Sequence, residues 1–172
     1  MMMKPLTPAA IQAERNNNVE QNHDYFFEGL NDFLQALKDW QVNLGDDGVL
    51  TGIPVRDGVP CGKCNLTFYF YYSRGGGYRN AIWIKVDNIH NIDVWIRVGF
   101  SHTGNKNANI WSRYELDCDG IIMYYCRAFA LPFEFNNPGI YKTNERVHPC
   151  SWNDILIEIC HLIPCACNAH CK

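Results

Sequence analysis

Apolar side chains along this chain follow two different periods. Between residues 22 and 45, Phe26, Leu30, Phe33, Leu37, Trp40 and Leu44 recur at alternating intervals of four and three, and Phe27 and Leu34 widen the stripe. That spacing predicts an amphipathic helix with one face turned to a core. Asn22 or Asp24 is placed to cap its start and Gly45 to end it. The stripe lasts under three heptads, which favours packing on a sheet over a coiled coil.

From Leu66 to Ala130 the period falls to two. Leu66, Phe68, Phe70 and Tyr72 alternate with Thr67, Tyr69 and Tyr71; Ile82, Ile84 and Val86 alternate with Trp83 and Lys85; Ile92, Val94, Ile96 and Val98 alternate with Asp93, Trp95 and Arg97. A polar loop is expected over 103–109, then a strand from Trp111 to Leu116, the turn Asp117-Cys118-Asp119-Gly120 and a strand from Ile121 to Ala128. β-Branched and aromatic residues dominate these runs, and Gly, Asn and Asp separate them, so a five-stranded, mostly antiparallel meander follows. Residues 132–150 read as a loop. Ser151 stands three before Asp154, the spacing of a capping box, and Trp152, Ile155, Leu156, Ile159, Cys160 and Ile163 follow at helical intervals up to Pro164, the expected stop. The fold class is therefore α+β, with an N-terminal amphipathic helix and a C-terminal helix packed on the sheet. Its organisation reads as a flexible segment over 1–21, one domain over 22–164 and a Cys-rich tail over 165–172.

Composition adjusts this picture in three ways. At 47% hydrophobic residues the chain can bury a substantial core and is expected to fold without disulfide or metal staples. A net charge of −3 gives no field suited to nucleic acid. No run of apolar residues is long enough for a membrane span, and Met1 to Glu20 lacks a basic region followed by an apolar one, so a cytoplasmic location is expected. In a reducing compartment most of the nine cysteines would be free thiols or metal ligands.

The order of helix, strands, a strand pair around an acidic-Gly turn and a last helix resembles the YbjN family, whose fold is similar to that of type III secretion chaperones. The residues that carry the resemblance are Arg113-Tyr114-Glu115-Leu116-Asp117-Cys118-Asp119-Gly120-Ile121-Ile122-Met123, then Leu131-Pro132 and the helix from Ser151. They cover about the last half of the chain. The family's helix before that strand pair has no counterpart in the short polar stretch 100–109. The resemblance implies protein binding or regulation without catalysis.

Two groups of residues could carry a function. Cys61-Gly62-Lys63-Cys64 is a knuckle able to point two thiolates at one Zn²⁺, and Cys165, Cys167, His170 and Cys171 offer the remaining soft ligands. The competing readings are a tight turn with an unordered Cys-rich end, and a redox disulfide. A thioredoxin-like role needs the knuckle at a helix N-terminus, whereas here a strand follows. The second group is aromatic: Tyr69, Tyr71, Trp83 and Trp95 fall opposite the aliphatic strand positions and would form a partly solvated face for a partner protein. Cover by the chain's own helix or by the 132–150 loop is the alternative.

Other constellations are weaker. Cys118, Cys126, Cys150 and His148 supply residue types for a thiol nucleophile but no coherent arrangement. Asp117-x-Asp119-Gly120 lacks the later ligands of a calcium loop. Asp87, His90 and Asp93 read as turn formers, and Gly75-Gly76-Gly77 reads as a hairpin tip. The expected function is accordingly a non-enzymatic protein-interaction or regulatory module, chaperone-like, that binds a protein partner or itself through a sheet face or edge. The alternative is a zinc-stabilised domain built on Cys61, Cys64 and the tail.

Overall fold

The computed structural model describes residues 3–18, 25–75, 79–87, 94–101, 106–112, 116–118, 121–123, 143–144 and 151–168. Their elements are β1 (Lys4–Pro5), α1 (Pro8–Asn17), α2 (Tyr25–Asp39), β2 (Val55–Arg56), β3 (Val59–Pro60), β4 (Leu66–Tyr71), β5 (Ala81–Val86), β6 (Val94–Phe100), β7 (Lys106–Ser112), β8 (Leu116–Cys118), β9 (Ile121–Met123), β10 (Thr143–Asn144) and α3 (Trp152–Asn168). The main sheet runs β1-β4-β5-β6-β7-β10, and every pairing within it is antiparallel among the described residues. The α+β class and the two helices on an antiparallel sheet are as the sequence predicts.

Register puts like with like. Phe68, Ile84, Ile96 and Ile110 lie side by side across four strands, and so do Phe70, Ile82, Val98 and Ala108. These rows form the aliphatic face. They join one buried cluster with Phe26, Phe27, Leu30, Phe33 and Leu37 of α2 and Ile155, Leu156, Ile159, Leu162 and Ile163 of α3. Each such large apolar side chain contributes roughly 1.5–3 kcal/mol gross when removed from water. Aromatic contacts stitch the layers: Phe33 meets Phe68 at 6.2 Å and Trp152 at 5.4 Å, and Phe100 stacks on Phe26 at 5.1 Å. Gly29 permits that last contact, because a Cβ there would overlap the Phe100 ring.

Five features depart from the sequence reading. First, the start of the chain is ordered. Leu6 and Ile11 are buried, Thr7 caps α1 by accepting the Ala10 N–H at 3.1 Å, and Pro8 occupies the first turn, where its missing N–H is harmless. Arg74 Nε donates to Asn18 Oδ1 at 3.0 Å, which ties the end of α1 to the turn after β4. Second, β7 begins at Lys106, inside the stretch expected to be loop. Its Asn residues alternate with Ala108 and Ile110, so a half-polar strand was hidden by its composition. Third, β9 pairs with β8 in a separate ladder rather than extending the main sheet. Fourth, α3 continues through Pro164 to Asn168, so residues 165–168 are helix and not tail. Pro164 is exposed and lacks the N–H that would bond back one turn, a local loss that the buried face on either side outweighs. At its other end, α3 starts as expected: Asp154 N–H donates to Ser151 Oγ at 3.1 Å and Ser151 N–H to Asp154 Oδ2 at 3.3 Å.

Helix α2 also stops earlier than Gly45. The Val42 N–H donates to Leu37 O at 2.8 Å and the Gln41 N–H to Lys38 O at 2.9 Å, with Gln41 at φ 61°. This is a Schellman motif with a glutamine in the left-handed position usually taken by glycine, and it presses Val42 onto Leu37, both buried. Substituting Gln41→Gly removes the steric cost of that conformation. The expected gain is about 0.5–1 kcal/mol in unfolding free energy, read by urea titration at constant slope. A loss of stability on Gln41→Gly would show that the glutamine side chain itself matters.

Candidate functional site

Three regions carry candidate function, and the first is the cysteine knuckle. Cys61 is bonded to Cys160 and Cys64 to Cys167, with Cα–Cα separations of 5.0 and 5.6 Å. Cys160 and Cys167 stand seven apart on α3, two helical turns, so both face the same way. Gly62 lies flat on the helix between the bonds: a Cβ there would overlap Ile163 Cγ2 and sit 3.5 Å from Cys167 Sγ. The expectation of free thiols is corrected, and so is that of zinc on Cys61 and Cys64. Their sulfurs are spent in disulfides, and Cys160 and Cys167 are about 10 Å apart along the axis at 1.5 Å per residue. Four ligands of one zinc each lie about 2.3 Å from a common centre. Among the described residues no group of three His, Cys, Asp or Glu side chains is placed to hold a metal ion. Of the other proposed ligands, Cys165 lies in α3, and His170 and Cys171 lie outside the described residues.

Ahead of the knuckle, β2 and β3 form a hairpin closed by Asp57 at φ 51° and Gly58 at φ 79°. Two successive left-handed residues make the turn whose twist matches a hairpin, and an Asp-Gly pair is its usual sequence. The Cys61 N–H donates to Pro54 O at 2.9 Å, closing the hairpin base on the disulfide. Arg56 lies 3.3 Å from His161 Nε2 of α3. Val59, at 65%, is the most exposed large apolar side chain of the described residues, and Pro60 beside it has no N–H to offer a further strand.

The second region is the aromatic side of the sheet. Tyr69 sits across from Trp83, and Trp83 from Arg97; Lys85 sits across from Trp95. The structure does bring Tyr69, Tyr71, Trp83 and Trp95 to one face, but it does not leave them at the surface. Trp83 is 0% exposed, Trp95 1% and Tyr71 5%; Tyr69 alone is half-buried. Trp83 Nε1 donates to Arg79 O at 3.0 Å, and the Arg97 guanidinium lies 5.8 Å from the Trp83 ring centre, within cation–π range. Gly99 makes room for Arg97, since a Cβ there would overlap its guanidinium. Burial, and after it the charges of Asp47 and Asp87, raise the Tyr69 phenol above its ordinary 10.0, so the group is neutral at physiological pH.

The sheet edge at β4 is likewise occupied. Leu6 N–H donates to Phe68 O at 2.9 Å, Phe68 N–H to Gly48 O at 3.0 Å and Leu50 N–H to Leu66 O at 3.1 Å. Gly48 has φ 84°, and a Cβ there would stand 2.7 Å from Phe68 O, so only glycine lets the 44–50 turn lie against the strand. At the far edge β10 pairs with Asn109 and Ala108 of β7.

The third region was not foreseen. The end of α2, the Schellman turn and the start of α1 enclose a groove of about 510 Å³. Leu6, Leu37 and Val42 form its floor, Leu34 and Leu44 its half-buried walls, and Lys38 and Asp46 its charged rim. The sequence held one signal of it. Leu44 belongs to the helical stripe by spacing yet falls outside the helix, where it bridges to Leu50.

Of the remaining sequence candidates, Asp87 is exposed and its N–H donates to Asn65 O at 3.1 Å, a turn role. Cys118 is in β8, while His90, Asp93, Gly76, Gly77, Cys126, His148 and Cys150 lie outside the described residues. No helix among the described residues is long and apolar enough to cross a membrane. No family model, curated protein or solved structure matches this chain.

Proposed function

We propose that this chain is a protein-interaction domain of chaperone-like or regulatory type, which holds an apolar segment of a partner polypeptide in the groove between α1, α2 and the 42–46 turn. The observation that carries the proposal is the groove itself. Its volume falls within the 300–1,000 Å³ usual for binding sites, and its apolar floor is bordered by few polar groups. Lys38 and Asp46 put opposite charges on the rim, which suits a peptide segment of mixed charge better than a polyanion. The groove replaces the buried aromatic face as the proposed surface. This agrees with what the resemblance of residues 113–123 to the YbjN family implies. The two disulfides support a working location in an oxidising compartment rather than the reducing cytoplasm.

The test is a peptide array probed with the oxidised protein and with Leu34→Asp and Leu44→Asp, whose side chains line the walls without filling the floor. Peptides rich in large apolar residues are retained by the parent protein. Each Asp variant weakens them at least tenfold, about 1.4 kcal/mol, while far-UV circular dichroism stays unchanged. Equal retention by the variants rejects the groove as the site. A dimer that dissociates on Leu34→Asp assigns the groove to a second copy of the chain instead. A groove that takes only small apolar compounds overturns the peptide reading.

A further inference from the structure

We propose that the two disulfides act as a relay, in which opening the more accessible bond frees α3 from both. Three observations converge on this. The bonds differ in access: Cys64 and Cys167 are both half-buried, whereas Cys61 is buried and only its partner Cys160 is half-buried. They share one short segment, with Cys61 and Cys64 three residues apart in a spacing that closes its own disulfide in thiol–disulfide proteins. Their partners are two turns apart on one helix, with Pro164 between them. Cys160 and Cys167 therefore have no comparable access to each other.

A dithiol reductant attacks the Cys64–Cys167 bond as a thiolate, passes through a mixed disulfide and leaves as its own cyclic or paired disulfide. Two electrons and two protons remain on Cys64 and Cys167. The Cys64 thiolate, held three residues from Cys61, then attacks Cys61 Sγ. A Cys61–Cys64 bond forms, the Cys61–Cys160 bond breaks, and Cys160 leaves as thiolate and takes up the proton that Cys64 lost. This second step involves no net oxidation. Tethering gives the attacking thiolate an effective concentration in the millimolar range or above. The new bond closes a loop of three residues where the old one spanned 99. One reducing event thus unfastens the C-terminal half of α3 from both covalent ties, leaving the packing of Ile163 and Ala166 against the core and the Arg56–His161 contact to hold it. The relay is independent of the groove.

The variant Cys167→Ser tests the second step without any reductant, because it leaves Cys64 as a free thiol beside Cys61–Cys160. Protein purified in air is quenched in acid, alkylated and mapped by peptide mass spectrometry. Most molecules carry Cys61–Cys64 with an alkylated Cys160. The mirror variant Cys64→Ser keeps Cys61–Cys160. The parent protein treated with limiting dithiothreitol yields a species with both Cys160 and Cys167 alkylated and a Cys61–Cys64 bond, and amide hydrogen exchange over 160–167 rises at least tenfold with it. Retention of Cys61–Cys160 in Cys167→Ser overturns the relay. So does capture of Cys64 by Cys165 or another cysteine, or accumulation in the parent protein of a one-bond species holding Cys61–Cys160. If Cys167→Ser does not fold, the partial reduction of the parent protein decides by the same mapping.

Discussion

Removing both disulfides by four Cys→Ser substitutions costs up to about 7 kcal/mol of unfolding free energy, while removing either pair alone costs about 2–3 kcal/mol. The asymmetry follows from the chain entropy of the unfolded state. Cys61–Cys160 and Cys64–Cys167 join nearly the same two points, with sequence separations of 99 and 103. The first bond to close either loop restricts about a hundred residues, worth about 4.7 kcal/mol at 25 °C. The second then closes only the short ring of about ten residues that remains, from 61–64 and 160–167, worth just under 3 kcal/mol on the same relation. Taking one bond from the intact protein therefore loses the smaller amount, and losing both exceeds twice that amount by about 2 kcal/mol. Paired substitutions, Cys61→Ser with Cys160→Ser and Cys64→Ser with Cys167→Ser, keep a stranded thiol from exchanging. Urea titration of the three variants checks the pattern. Simple additivity, or a quadruple variant as stable as the parent, would show that the bonds do not constrain the unfolded chain in this way.

The second large effect is at Trp83. Its ring is completely buried on the side of the sheet away from α2 and α3, in contact with Arg97 and bonded to Arg79 O. Trp83→Ala is expected to cost about 3–5 kcal/mol, because a cavity is left where the ring was. Trp83→Phe keeps most of the volume and loses the N–H, and is expected to cost about 1–2 kcal/mol. Thermal unfolding of both variants measures this. It also separates the two surfaces considered for partner binding. A Trp83→Ala protein that loses a partner while keeping its stability within 1 kcal/mol of the parent would return the binding site to the sheet face. A destabilised protein that still retains apolar peptides in the groove places binding elsewhere than on that face.

The core and the class of fold were legible along the chain because both rest on local periodicity. The stripe from Phe26 to Leu37 became the buried side of α2, and the alternation of Phe68, Ile84 and Ile96 became one row of the aliphatic face. Ser151 and Asp154 capped α3 as their spacing implied, since a capping box is complete within four residues. Where the reading erred, packing onto the core or a neighbouring strand outweighed a residue's own preference. Val42 packing on Leu37 holds Gln41 in a glycine-like conformation and ends α2 before Gly45. Ile163 and Ala166 in the core carry α3 past Pro164. Pairing with β6 makes a strand of the polar start of β7.

The functional regions divide along the same line. Periodicity alone placed Tyr69, Tyr71, Trp83 and Trp95 on one side of the sheet, because successive strand residues point to opposite faces. Whether that side meets water depends on the rest of the fold, and the burial of Trp83 and Trp95 is a tertiary fact. The Cys61-x2-Cys64 spacing marked a thiol pair, and of the tail residues expected to join it on zinc Cys167 joins it in a disulfide instead, while Cys160, which reads in the sequence as an apolar position of the helix, is the other partner. Which sulfurs met depended on α3 running past Pro164, so that Cys160 and Cys167 came to one face against the knuckle. The groove has no counterpart in any continuous stretch of sequence. Its walls come from three segments that are apolar for separate local reasons, and it exists only because the Schellman turn folds Leu44 back toward Leu34 and the start of α1.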